Sequence, residues 1–252
     1  MSRLGRVRSE SLAATRSFLR RRTAVFFTFF FPVILVVIFG ALVRTQPTGG
    51  GLFAKPAGYY LPGYIGVVVL FTPLSRVGSE IARHRDGNRF EKLSTTPLSR
   101  GEWLFAHALV NVGIIGVASL LVFGLVVAIT DATVRVTPSL LAVPAFVIAG
   151  VATFCGVGAL LGSFADSQDG VIAASNTIAL PILFLSETFI PPALLPGWFL
   201  PVVEISPLTY FARGVRAITY YDGATWGTEL AVLSVLAVVA LAVGARSLPR
   251  TD

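Results

Sequence analysis

His84 and His107 are the only histidines and Cys155 is the only cysteine, so the side chains that most often attack substrates or hold metals are scarce. Neither histidine stands in an H-E-x-x-H pattern, and no Gly-x-Ser-Gly turn accompanies them. A serine hydrolase needs both groups at one depth, and His107 falls at the polar start of an apolar run. Cys155 lies inside another apolar run, cannot pair within the chain, and reads as a small buried hydrophobe. Lys55 and Lys92 follow no glycine, and no G-x-x-x-x-G-K-[ST] loop is present, so the chain lacks the usual cradle for ATP phosphates. Catalytic, cofactor-binding and metal-binding residues are therefore not expected. No carboxylate sits in the middle of an apolar run, where an ion-coupled carrier would want one. Such a carrier, or an intramembrane enzyme, stays open as an alternative.

What the residues do offer is recognition by charge. Glu80–Trp103 is a polar island holding Arg83, Arg85, Arg89, Lys92 and Arg100 beside Asp86, Glu91 and Glu102. The stretches before and after it, Tyr59–Ser75 and Leu104–Thr130, carry no charge at all. The island must lie in water or against another protein, because charge in hydrocarbon is heavily penalised. Phe90 and Leu93 share one helical face among these charges, and Thr95-Thr96-Pro97 then stops the helix. A short amphipathic helix with a hard stop is a shape that another subunit can grip. A plain solvated loop is the alternative.

The whole chain explains why charge is so localised. Hydrophobic residues make up 54%, charged residues 13%, and mean hydropathy is +0.78. A soluble domain carries about a quarter charged residues, so this composition is that of a membrane protein. The net charge of +7 does not indicate nucleic acid, since the basic residues flank apolar spans instead of covering a face. Residues 1–22 hold seven arginines among apolar positions spaced for an interfacial helix. Ala24–Val43 is too long for a signal peptide and spans the membrane, with Pro32 expected to kink it. A Pro- and Gly-rich loop over Arg44–Gly58 follows, then a second span over Tyr59–Ile81. Leu104–Thr130 and Pro138–Phe164 form the third and fourth spans, separated by a tight turn at Asp131–Thr137. Val171–Ser186 is a short fifth span, and Ala224–Ala245 is the sixth.

Between the last two spans Glu187–Val203 is apolar yet contains Pro191, Pro192, Pro196 and Pro201. It cannot be one regular helix, and its carbonyls are expected to need partners from a dimer mate or water. An amphipathic stretch with Arg213 and Arg216 follows, up to Tyr221. Six spans put both termini on one side. Fifteen Lys and Arg then fall on that side and five, Arg44, Lys55, Arg135, Arg213 and Arg216, on the other. The positive-inside rule makes the terminal side cytoplasmic.

At two places the chain resembles the permease subunit of type-2 ABC exporters. That family carries a cytoplasmic loop G-T-L-E-x-L-x-x-T-P-L-S-R-x-E, matched here by Glu91, Leu93, Thr96, Pro97, Leu98, Ser99, Arg100 and Glu102. It also carries S-G-x-x-F-P, then L-P-x-W, then P-L-T-Y and a later arginine. Ser186, Leu195-Pro196, Trp198, Pro207-Leu208-Thr209-Tyr210 and Arg216 match these. The chain departs in two places: Asn88-Arg89-Phe90 replace the usual Thr-Leu, and Glu187 stands where the family has the glycine that lets the fifth helix break.

The resemblance implies an all-α, six-span permease over residues 1–252, with both termini inside. Its parts would be an interfacial helix at 1–22, a cytoplasmic coupling loop at 83–102 and an extracellular re-entrant elbow at 187–221. It implies a non-enzymatic subunit of the cell membrane, in a prokaryote the plasma membrane, that dimerises and binds a cytosolic ATPase. ATP and Mg would be held by that partner. The coupling role would fall to Asp86, Phe90, Glu91, Leu93, Thr96, Pro97, Leu98, Arg100 and Glu102. The pathway and dimer mouth would comprise Asn176, Ser186, Glu187, Phe189, Pro191, Trp198, Tyr210 and Arg216.

Overall fold

Ser2 starts the first helix, its Oγ accepting the Gly5 N–H at 3.2 Å as an N-cap. The computed structural model describes residues 2–42, 55–130 and 132–248. Most of the expected Arg44–Gly58 loop, together with Asp131 and Arg250, lies outside the described residues. Helix α1 (Arg3–Arg20) is followed by α2 (Arg22–Leu35), whose Pro32 lacks the donor that an α-helix needs. The helix then widens into π turns over Val36–Leu42, so the irregularity expected at Pro32 takes the form of a change in hydrogen-bond register.

A 3-10 turn at Ala57–Tyr60 leads into α3 (Leu61–Asp86), and α4 (Arg89–Ser94) and α5 (Arg100–Ile129) follow. Another 3-10 turn, Pro138–Ala142, opens α6 (Val143–Phe164), and α7 (Gln168–Leu185) comes next. The proline-rich stretch breaks into 3-10 turns at Pro192–Leu194 and Gly197–Phe199, then α8 (Leu200–Ile205) and α9 (Pro207–Thr219). Helix α10 (Gly227–Ser247) ends the described chain. Among the described residues there is no strand. Six segments, carried by α2, α3, α5, α6, α7 and α10, are long and apolar enough to cross a membrane.

Two helices make the centre. In the most apolar window of α3 72% of residues are buried and in α6 56%, against 11% in α2 and 17% in α10. Glycine lets this pair touch backbone to backbone: a Cβ on Gly78 would lie 2.8 Å from the Gly158 carbonyl. Helix α10 approaches the other side of α6 as closely, since a Cβ on Gly244 would lie 2.7 Å from the Gly156 carbonyl. Phe26, Phe27, Phe30 and Phe31 on α2 and Val235 and Val238 on α10 stay exposed, as suits helices that face lipid or another subunit.

Alternate spans run in opposite directions and sort the connections into two ends. At one, which we call the terminal end, Arg6 of α1 reaches Glu102 at the start of α5, and Arg100 reaches the Leu248 carbonyl at 3.1 Å. At the other, the elbow end, Arg216 of α9 reaches the Tyr59 carbonyl, and the Arg135 N–H donates to the Thr219 carbonyl at 3.1 Å. The polar island is not one helix. Glu80–Asp86 forms the last turns of α3, only Arg89–Ser94 makes α4, and Arg100–Trp103 already belongs to α5. The fifth span begins earlier than expected, at Gln168, because Ser167 caps it through the Gly170 N–H.

Candidate functional site

The terminal end is built from helix ends that satisfy one another. Helix α3 continues past its apolar part because Arg85 donates to the Ala165 and Ser163 carbonyls at the close of α6, groups that α6 cannot pair itself. Asn88 adopts the left-handed region (φ 51°) and turns the chain into α4. Thr95 and Thr96 donate their hydroxyls to the Lys92 and Leu93 carbonyls at 2.8 and 2.7 Å, and Pro97 prevents further helix.

Helix α5 then opens with a capping box. Ser99 Oγ accepts the Glu102 N–H at 3.2 Å, and Glu102 Oε2 accepts the Ser99 N–H at 2.9 Å. The same carboxylate takes Arg6 of α1 in two bonds, Nη2 to Oε1 at 2.6 Å and Nε to Oε2 at 3.1 Å. Glu10 meets His107 at 3.3 Å, and this bond is the main reason its carboxyl titrates below the ordinary range. The Glu102 hydrogen bond raises the Arg6 pKa in turn. Glu102 is thus a hub joining α1, the island's end and α5.

Phe90 lies 5.5 Å from His84 and 5.7 Å from Trp103, ring centre to ring centre, and Trp103 is only 1% exposed. Phe90, Leu93 and Leu98 pack against the chain's own core. Of the residues assigned to coupling, Asp86, Glu91, Thr96 and Pro97 are exposed, beside Arg89 and Lys92. Arg100 is occupied with the end of α10.

The elbow end is organised by Glu187. Its backbone adopts φ 57°, the left-handed region where glycine costs least. Its carboxylate, 5% exposed, receives Arg213 Nε at 3.0 Å and Nη2 at 2.5 Å. Arg213 also grips Glu204, Nη1 to Oε2 at 3.0 Å and Nη2 to Oε1 at 2.7 Å. Hydrogen bonds to Glu187 and then Glu204 raise the Arg213 pKa, and Arg213 holds the Glu204 carboxyl below its ordinary value. Arg216 is buried, donates to the Glu187 carbonyl at 2.5 Å and the Tyr59 carbonyl at 3.2 Å, and sits 4.0 Å from the Tyr59 ring centre. Burial pushes its pKa down.

The carbonyls at the end of α8 find partners within the chain and not in a dimer mate or water as expected: Thr209 donates to the Val203 carbonyl at 2.6 Å and Tyr210 to the Glu204 carbonyl at 2.8 Å. Ser186 Oγ lies 2.6 Å from Ser206 Oγ, and Phe189 packs on Tyr64 with ring centres 5.6 Å apart. Pro191 is buried, whereas Trp198 is 78% exposed at the tip. Asn176 does not join this group. It is exposed halfway along α7, ten residues before Ser186, a separation of about 15 Å along a helix. Sequence reasoning missed Arg6, Glu10, Tyr59 and Glu204. Only the S-x-x-E spacing of Ser99 and Glu102 signals any of this locally.

A family model described as ABC-2 type transporter matches residues 11–220. A daunorubicin resistance ABC transporter permease protein, DrrB1, of Streptomyces coeruleorubidus is 28% identical over 83 residues, covering 33% of this chain and 29% of that protein. The putative transport permease ycf38 of Porphyra purpurea is 26% identical over 226 residues, covering 81% of this chain and 69% of that protein. The chain thus matches less than a third of the first relative's length and about two thirds of the second's.

Proposed function

The chain belongs to the ABC-2 type transporter family, and on that premise we propose that it forms the translocation pathway of an ATP-driven exporter and is driven by a separate ATPase subunit. That it is a multi-pass membrane transport subunit follows from the family and the six apolar spans. The finer reading puts the terminal end in the cytoplasm and the elbow at the outer mouth, where two copies of the chain, or this chain and a paired permease, meet. ATP and Mg are held by the partner. The Streptomyces relative's name ties it to daunorubicin resistance, which favours efflux as the direction of transport here.

The observation that carries this reading is the terminal-end platform. Glu91 on the short helix α4, with Asp86 before it and Thr96 and Pro97 after it, stands exposed, while Phe90 anchors the helix on Trp103 and His84. Through Glu102 that platform is tied to both α1 and α5, so a push on the exposed face reaches a span and the interfacial helix together. An exposed edge backed by a rigid aromatic core suits the transmission of force better than a loose loop does.

The test reverses charge on the exposed face, Glu91→Arg with Lys92→Glu, which leaves net charge unchanged. The variant is expected to insert and unfold like the parent. It should lose co-purification with the ATP-binding subunit, or keep it while hydrolysis no longer drives efflux. Normal binding and normal coupled efflux would reduce the island to a solvated loop.

A further inference from the structure

Beneath α1 a groove of about 640 Å³ runs between that helix and the middle of α5, with Phe29 of α2 at one side. Its walls are Val7 and Phe18 on α1 and Leu109, Ile114 and Val117 on α5. The volume is in the range of small-molecule sites, about 300–1,000 Å³. From Leu109 to Val117 the α5 wall is about 12 Å long at the helical rise. Gly113 lines it and leaves a notch, since a Cβ there would meet nothing within 4 Å.

One charged residue, Arg8, lines the groove, and it is exposed. Among the described residues Arg3, Arg8, Arg16 and Arg20 of α1 have no carboxylate partner, whereas Arg6 is neutralised by Glu102. The one carboxylate of α1, Glu10, is turned to His107. The apolar slot therefore carries one uncompensated cation, Arg8, on a helix whose Leu4, Leu12 and Leu19 are exposed as in an interfacial helix. The occupant that matches both features has a hydrocarbon chain and a negative head.

We propose that this groove holds one anionic phospholipid of the leaflet on which α1 rests, an acyl chain lying along α5 over Gly113 and the phosphate taken by Arg8. The lipid completes the packing between α1 and α5 that Gly113 leaves open. This depends on the chain's place in a membrane and not on what it transports.

The full chain is purified in detergent, and bound lipid is counted by native mass spectrometry after exposure to phosphatidylglycerol or phosphatidylcholine of matched chains. One phosphatidylglycerol per chain is expected to be retained, in preference to phosphatidylcholine. Arg8→Gln should lower retention about fivefold, the loss of one lipid-facing charge. Arg16→Gln, which does not line the groove, should leave retention unchanged. Gly113→Leu, whose Cβ would meet nothing within 4 Å, fills the notch and should bring retention to background while the unfolding temperature holds. Equal loss in the Arg16 and Arg8 variants would mean diffuse surface charge and overturn the site, as would undiminished retention in folded Gly113→Leu. Displacement by excess inorganic phosphate would mean an anion site without a lipid and also overturn it. If Gly113→Leu fails to fold, the headgroup preference and the Arg8 and Arg16 pair decide alone.

Discussion

Glu187 gives the sharpest test of the elbow, because its backbone and its side chain make opposing predictions for one substitution series. Glu187→Ala removes both charge-assisted bonds from Arg213, which keeps Glu204 and so is not orphaned. The loss should be about 2–3 kcal/mol. Alanine inherits the left-handed strain of φ 57° unchanged. Glycine loses the same bonds but sheds about 1–2 kcal/mol of that strain, against about 0.5 kcal/mol of extra chain entropy. Glu187→Gly should therefore be less damaging than Glu187→Ala by about 1 kcal/mol, roughly fivefold in the unfolding constant. Arg213→Ala should be worst, about 3–5 kcal/mol, since it strands a carboxylate only 5% exposed. Glu187→Gln keeps shape and strain, and should be non-additive with Arg213→Ala. Equilibrium unfolding of the purified chain in mixed micelles reads all four. A glycine variant no more stable than the alanine one would refute the left-handed backbone. An Arg213→Ala loss smaller than that of Glu187→Ala would mean that water reaches the carboxylate.

Two further outcomes follow from the central packing and from α1. Gly78→Ala puts a Cβ 2.8 Å from the Gly158 carbonyl and 2.6 Å from Val171 Cγ1, so it should cost about 1–3 kcal/mol, whereas Gly101→Ala, with nothing within 4 Å, should not destabilise. Equal unfolding temperatures for the two would sink the backbone contact. Glu10 titrates below its ordinary value in the fold, so its contribution is complete above an unfolded value of about 4.3 and is lost as pH falls through the lower folded one. The gap in unfolding temperature between parent and Glu10→Gln should stay level from neutral pH to about pH 5 and close only below about pH 4. A gap that opens on acidification would contradict that.

The spans were legible because hydrocarbon imposes length and apolarity on each of them, and every expected span reappears as a helix. Their ends were less legible. Charge at Arg83–Asp86 reads as loop, yet α3 runs through it, because a long side chain such as Arg85 carries its charge away from the helix to carbonyls of α6. Asn176, grouped with the elbow by the resemblance, stands ten residues before Ser186 along one rigid helix, a distance that the residue types alone do not reveal. Phe90 and Leu93 share a face as expected, but helical periodicity cannot say whether the face meets the chain's own core or a partner. Arg6 and Glu102 are 96 residues apart, and no local pattern links them. Glu187 was visible as a departure from a glycine position, and the structure shows that the backbone kept the shape that glycine would have given it.

The tie from Tyr59 to Arg216 joins positions 157 residues apart in sequence. Many proteins close so long a loop with a disulfide, which needs an oxidising compartment and thiol exchange over seconds to hours. Here the only cysteine is buried in α6, and a single guanidinium fastens the lead into α3 and the turn after α7. Closure of this end therefore awaits no oxidant. It is set by how fast the chain brings α9 to the start of α3, and a reductant has nothing there to cut.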